Sequence, residues 1–471
     1  MSKRPNILFL FSDQHRKDAM SCAGHPIVKT PSMDLLAEDG VMFSNAYCPT
    51  PLCIPSRTAI FTGRFGHNTG ILVNKGRLPE GEPTFVKQLN EAGYRTCMIG
   101  KTHLGQHAPG GSAECDKWLS DMGFTDTLSQ AGKWSDARLT IAENPYQQYL
   151  EKKGLMDILR DDYNKRMEKH HPTEGGNECW EDSPSVLPEE DFGDFFIGNQ
   201  AANWIKEYSD DKPFFCWCNW GGPHEPFDPP LRYLKMYSEC TPDTPIDDFM
   251  ENAPTPLIER KIKDTGSAPA NAWQAVKARY YSLINVIDDS IKDILCALKE
   301  KNLLENTIII YASDHGEMLY DHGLIRKSCM YEASVGVPLI IRWPSNFIKN
   351  VKVNHPVSLL DLTPTILELA GAQPLPVMHG KSLIPLLEGQ TPYEHGDVFS
   401  EMDCMKMLRR DNWKYVYHPS WDTPQLFDLS DDPEEKQNLS GLAHCSALEN
   451  SLKDSILNWM INTSQRPNSN E

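Results

Sequence analysis

Short apolar runs alternating with amphipathic stretches constrain this chain more than any single motif does. The runs Asn6–Ser12, Val41–Tyr47, Tyr94–Ile99, Phe214–Asn219, Thr307–Ala312 and Pro338–Arg342 have strand length and are rich in branched or aromatic residues. Around them, Ser32–Glu38, Ser56–Thr62, Thr84–Ala92, Trp273–Lys301 and Leu362–Leu369 read as helices. The alternation predicts an α/β fold: a large mixed, mostly parallel sheet sandwiched by helices. Polar, chemically capable residues fall just past several strand ends, where open α/β sheets hold ligands.

From about Leu104 to Asn199 the pattern turns irregular, rich in Gly, Asp, Trp and Pro, with short helical stretches such as Pro145–Glu151. Excursions of this kind usually cover or line a site. Trp118, Trp134 and Trp180 lie in it and are candidates for shaping an outer pocket, although packing is the commoner fate of a tryptophan. Beyond about Gly371 the composition changes again. Met407–Tyr417 and Gln425–Leu429 read as antiparallel strands, and Ala447–Asn462 as an amphipathic terminal helix. The expected division is a catalytic unit over residues 1–375 and a smaller carboxy-terminal unit, antiparallel sheet plus helix, over 376–471.

With 471 residues and 40% hydrophobic content the chain can bury a substantial core. A formal net charge of −19 argues against nonspecific binding to nucleic acid or an anionic membrane, because no basic excess is available for phosphate contacts. An anionic small substrate stays open, since a few cations and a metal can dominate one pocket. The 13 cysteines are odd in number and scattered, unlike a disulfide framework. The apolar run Ile7–Phe11 is too short for a signal peptide and leads straight into Ser12-Asp13-Gln14, and no run approaches a membrane span. A cytoplasmic chain is the expectation.

The pentapeptide Cys53-Ile54-Pro55-Ser56-Arg57 is followed one short helix later by Thr62-Gly63-Arg64. Pro55 suits the first turn of a helix and puts Cys53 at the mouth of its N-terminus, where unpaired N–H groups favour an anion. A cysteine in a half-apolar loop is most often a small buried hydrophobe, so the decision rests on partners elsewhere. Asp13 and Gln14 end the first strand, and Asp314 and His315 end the Thr307–Ala312 strand. Each pair alone reads equally as a solvated turn or a helix cap. Together, with the cysteine loop between them, they weigh against that plain reading.

The C-x-P-S-R pattern resembles the signature of type I, formylglycine-dependent sulfatases of the alkaline phosphatase superfamily. Gly93-Tyr94-Arg95-Thr96-Cys97-Met98-Ile99-Gly100-Lys101-Thr102-His103-Leu104-Gly105 is similar to a second family signature, with Thr102 where an aromatic is common. On a strand extension Lys101 and His103 share a side and can both face the nucleophile. His224, in Gly222-Pro223-His224-Glu225-Pro226-Phe227, and Lys327 occupy two further matching positions. His322 and Arg326 lie nearby in sequence without an assignable role. The resemblance runs from Asn6 to the carboxy-terminal strands and implies an alkaline-phosphatase-like fold.

It also implies a chemistry. Cys53 would be the precursor of formylglycine, made by a formylglycine-generating enzyme, and its hydrate the nucleophile toward a sulfate monoester. One divalent metal held by Asp13, Gln14, Asp314, His315 and residue 53 would polarise a sulfate oxygen; oxygen-rich ligation with one imidazole suits Ca²⁺ and tolerates Mg²⁺ or Mn²⁺. Arg57 would hold the hydrate. Lys101, Lys327 and His224 would neutralise sulfate oxygens, with His224 or Lys327 protonating the leaving alcohol and His103 serving as the base that releases sulfate. The expected substrate is a sulfated small molecule or carbohydrate. The closest rival is a phosphonate monoester or phosphodiester hydrolase of the same superfamily, which commonly carries Tyr and Thr in place of Lys101 and His103. A thiol hydrolase using unmodified Cys53 would leave both metal pairs unexplained.

Overall fold

A computed structural model describes residues 4–79, 81–105, 109–141, 143–170, 183–247, 252–265, 268–390 and 396–464. Trp180 lies outside them. The strands, in chain order, are β1 (Asn6–Asp13), β2 (Val41–Phe43), β3 (Ala46–Tyr47), β4 (Arg95–Lys101), β5 (Asp126–Gln130), β6 (Phe214–Pro223), β7 (Thr307–Ser313), β8 (Gly336–Val337), β9 (Leu339–Arg342), β10 (Val351–Val353), β11 (Val357–Ser358), β12 (Val398–Met402), β13 (Met405–Arg410), β14 (Trp413–Tyr417) and β15 (Gln425–Asp428). Eight of them form one sheet in the order β10-β2-β9-β7-β1-β6-β4-β5. It is parallel except where β9 runs against β7 and β2.

Alternation along β1 explains the layers. Ile7, Phe9 and Phe11 face one side, where they share a core with Ile60 and Phe61 of the Cys53–Thr62 helix and with Phe85 and Leu89 of the Phe85–Glu91 helix. Leu8 and Leu10 face the other side, packed beneath the long Ala272–Glu300 helix and the Gly193–Glu207 helix. Every residue of β1 is buried, as the centre of a helix-covered sheet requires.

Register then decides what meets at the carboxyl end. Ser12 pairs with Ser313, so Asp13 and Asp314 leave adjacent strands at one level. Asp13 itself pairs with Pro223, which sets His224 beside it, and Gly100 pairs with Asn219. Gly100 is obligatory, because at φ +85° a Cβ would sit 2.0 Å from the Asn219 carbonyl oxygen.

Several sequence expectations need correction. Val41–Tyr47 is two strands, since the chain turns at Ser44-Asn45 and β3 joins a separate three-stranded sheet, β11-β3-β8. Pro338 similarly divides Gly336–Arg342, having no N–H for a ladder. The region after Leu104 is far more regular than its composition suggests. It contains edge strand β5 and the helices Ala113–Asp121, Lys133–Arg138, Pro145–Lys153 and Met156–His170. The terminal helix is Ser446–Thr463, and it packs on the antiparallel sheet β12-β13-β14-β15. That cluster also takes in Ala59 and Phe65, so the carboxy-terminal sheet backs the helix that carries Cys53.

Candidate active site

Cys53 is the first residue of its helix, after extended Leu52, and Gly63 closes the helix in the left-handed region at φ +69°. Its Sγ lies 3.2 Å from His315 Nε2 and 3.8 Å from Asp13 Oδ1. His315 Nδ1 is 2.9 Å from the Gly316 carbonyl oxygen, to which it donates, leaving Nε2 as a bare lone pair. One ligand atom from each of Asp13, Cys53, Asp314 and His315 lies within 4.8 Å of the others, and all four residues are buried. Ligands on one cation at about 2.4 Å can be at most about 4.8 Å apart. The two carboxylates and the free imidazole nitrogen therefore fit a divalent ion.

Arg57 holds these acids together from below. Its Nε donates to Asp314 Oδ2 at 2.8 Å, Nη2 to Asp13 Oδ2 at 3.2 Å and Nη1 to Asn219 Oδ1 at 2.9 Å. The guanidinium is fully buried and lies over the Phe11 ring, 5.0 Å from its centroid. Arg57 thus bonds both carboxylates, and its charge also acts on Cys53. Lys101, on the last residue of β4, donates to Asp13 Oδ2 at 2.5 Å. Burial alone would raise the Asp13 pKa; Lys101, His224, Arg57 and His315 outweigh it and hold the carboxyl well below its usual range.

Lys101 and His103 do not share a strand face, because β4 ends at Lys101 and His103 adopts φ +42°. His103 nonetheless reaches the same field. Burial first, then the positive charge of Lys101, push its pKa well below the ordinary value, which keeps the ring neutral. Its Nδ1 is buried with no hydrogen-bond partner among the described residues. A neutral ring with an unused nitrogen can take up a proton.

On the opposite side, Lys327 Nζ donates to His224 Nε2 at 3.0 Å and also to Gln14 Oε1. The Gln14 amide N–H₂ donates to Glu225 Oε2 at 2.9 Å and to Glu317 Oε2 at 2.5 Å. Two carboxylates at one end and an ammonium at the other fix which amide atom is oxygen. Burial opposes the charge on Lys327, but Cys53, Glu225, Asp13 and Asp314 together raise its pKa. Glu225, Glu317 and Asn219 were not singled out from sequence, although each stands in or beside a motif already quoted. Trp118 is buried in the core against Phe61, and half-buried Trp134 packs edge-on against Tyr163.

A buried carboxylate, imidazole and sulfur cluster at strand ends, flanked by two lysines, defines an α/β enzyme built to handle an anion. Residues 5–372 match the family Sulfatase, and residues 320–462 match N-sulphoglucosamine sulphohydrolase, C-terminal. An arylsulfatase of Clostridium perfringens is 31% identical over 476 residues, covering 93% of this chain and 90% of that one. An N-acetylglucosamine-6-O-sulfatase of Bacteroides thetaiotaomicron is 28% identical over 482 residues, covering 96% and 85%. The phosphonate monoester hydrolase of Agrobacterium radiobacter has the same fold, with a TM-score of 0.81 at 24% identity over 98% and 96% of the two chains. The chain belongs to the sulfatase family and is a sulfuric ester hydrolase.

Proposed function

We propose that the enzyme hydrolyses a sulfate monoester carried by a sugar or glycan fragment, using formylglycine made from Cys53 by a formylglycine-generating enzyme. The convergence of Cys53, Asp13, Asp314 and His315 within 4.8 Å is the observation that carries this reading. The N-acetylglucosamine-6-O-sulfatase relative supports the sugar. Asp13, Asp314, His315 and the Gln14 amide oxygen would hold the metal, which when bound polarises a sulfate oxygen. A thiolate at position 53 would favour a soft ion, whereas the oxygens of formylglycine suit a hard one, and Ca²⁺ is the proposed occupant.

The chain's own groups then divide the work. Lys101 and Lys327 neutralise sulfate oxygens from opposite sides. The proton that Lys327 shares with His224 Nε2 goes to the departing alcohol oxygen, so that this pair is the leaving-group acid, and neutral His103 accepts a proton from residue 53. Arg57 keeps Asp13 and Asp314 aligned.

The shared fold makes a phosphonate monoester the specific competitor. Lys101 and His103 favour sulfate, because two cationic or protonatable groups match its oxygens and a diester needs space for a second organic group. The test is hydrolysis of 4-nitrophenyl sulfate against an aryl phosphonate monoester by metal-loaded protein, with peptide mass at position 53 and Cys53→Ala as control. A sulfate preference that disappears in the control, followed by turnover in a panel of sulfated sugars, is the expected result. A phosphonate preference would overturn the reading.

A further inference from the structure

Lys133 is the first residue of the short Lys133–Arg138 helix, outside every motif, and its ammonium is almost wholly occupied with one five-residue stretch. Nζ donates to the Pro226 carbonyl oxygen at 2.6 Å, to Asp228 Oδ1 at 2.6 Å and to the carbonyl oxygen of His224 itself at 3.3 Å. An ammonium has three donors, and all three go to residues 224–228. The other ends of this loop are held as firmly. Asp194 Oδ1 accepts the N–H groups of Gly221 and Gly222, each at 3.0 Å, and Tyr163 donates to Asp228 Oδ2 at 2.8 Å. The Lys133 stem has no slack, since a Cβ on Gly221 would lie 3.0 Å from its Cγ. Asp228 is 1% exposed, and among the described residues Lys133 is the only cation paired with it.

We infer that Lys133 is a positioning residue for the proposed leaving-group acid: it fixes the backbone of His224, and through it the point where Nε2 meets Lys327. This rests on the role proposed above for His224. A displacement of about 1 Å at a reacting group costs up to about 100-fold in rate. A lysine that merely stabilised the fold would change the amount of folded enzyme but leave the kinetics of the folded fraction alone. A positioning lysine lowers kcat and loses its effect once the imidazole it positions is gone.

The test is a double-variant cycle on metal-loaded, formylglycine-bearing enzyme, with rates referred to folded protein by near-ultraviolet circular dichroism. Lys133→Met is expected to lower kcat by about 30- to 100-fold with KM changed by less than about 3-fold, and His224→Ala by about 100-fold or more. The Lys133→Met/His224→Ala enzyme is expected within about 3-fold of His224→Ala alone. Should Lys133→Met fail to fold with Asp228 left unpaired, Lys133→Met/Asp228→Asn removes both charges and takes its place in the same cycle. A His224→Ala enzyme at the wild-type rate overturns the reading of His224, and this inference with it. A slow His224→Ala beside a full-rate Lys133→Met, or losses that multiply in the combined variant, overturns the Lys133 assignment alone.

Discussion

The two halves of the active site are built by different means. Asp13, Asp314 and His315 ride on or just past central strands of the sheet, where the β1 and β7 ladder fixes their level and buried Arg57 bonds both carboxylates. His224 and Lys327 sit on loops, and what fixes them is a web of side-chain bonds from Glu225, Glu317 and Lys133. The loop leading to Lys327 also holds Leu319, Tyr320, His322 and Arg326 at positive φ, a conformation that costs free energy at each non-glycine residue. The acidic half is thus stabilised by the fold as a whole, while the cationic half depends on a few named contacts. Substitutions should register in the first as stability and in the second as function.

The largest effect tests the acidic half. Among the described residues Arg57 is the only arginine or lysine that bonds both Asp13 and Asp314, and none of these side chains is exposed. Arg57→Met leaves two buried carboxylates repelling one another, with Lys101 compensating only Asp13. Removing one partner from a buried pair costs about 3–5 kcal/mol. Chemical denaturation of metal-free protein should show a loss of that order, partly restored by divalent metal. A loss below about 1 kcal/mol would mean that the sheet alone tolerates the acids.

A smaller effect separates the halves by pH. Asp136 accepts N–H bonds from Ala131 and Gly132 and the Asn144 side chain, bracing the turn that presents Lys133. Burial pushes its pKa up to about 6, against the opposing effects of Asn144, Ala131, Gly132 and Lys101. A folded pKa above the unfolded one contributes stability that is full below about pH 4 and is lost as pH rises through 6. A shift of about two units corresponds to about 3 kcal/mol. Unfolding free energies of wild type and Asp136→Asn, measured from pH 4 to 7, should therefore diverge in the variant's favour by up to that amount. Parallel curves would show that Asp136 titrates normally.

The same contrast governs what could be read from sequence. β1, β6 and β7 are apolar because both of their faces are covered, so their ends and the residues just past them were legible. The polar run Asp126-Thr-Leu-Ser-Gln130 is an edge strand, and its composition hides it. The Met156–His170 helix is largely charged, so its apolar positions, Leu159 and Tyr163 among them, were too few to announce it, and Tyr163 went unnoticed with it. Motif residues carried the reactive groups, but the bracing groups Asn219, Glu225 and Glu317 act on the site through bonds to Arg57 and Gln14, 162 to 303 residues away in the chain. Lys133 has no local signal at all.

The subtlest prediction lies where the halves join, at Gln14. Glu317 Oε1 accepts the backbone N–H groups of Leu319 and Arg326, both at 3.1 Å or less, while Oε2 accepts from the Gln14 amide. Glu317→Gln preserves shape and can keep the first oxygen where it is, but it then turns an N–H₂ group toward the N–H₂ of Gln14. Two donors cannot bond, so the Gln14 amide loses one of the two carboxylates that fix its orientation. With Gln14 as a metal ligand, the loss of such a supporting bond lowers affinity by about 10- to 100-fold, with little change in unfolding of the metal-free protein. Calorimetric titration of Ca²⁺ into wild type and Glu317→Gln would measure the difference. Equal affinities would remove Gln14 from the ligand set and leave the strand-borne Asp13, Asp314 and His315 to hold the ion without help from the loop side.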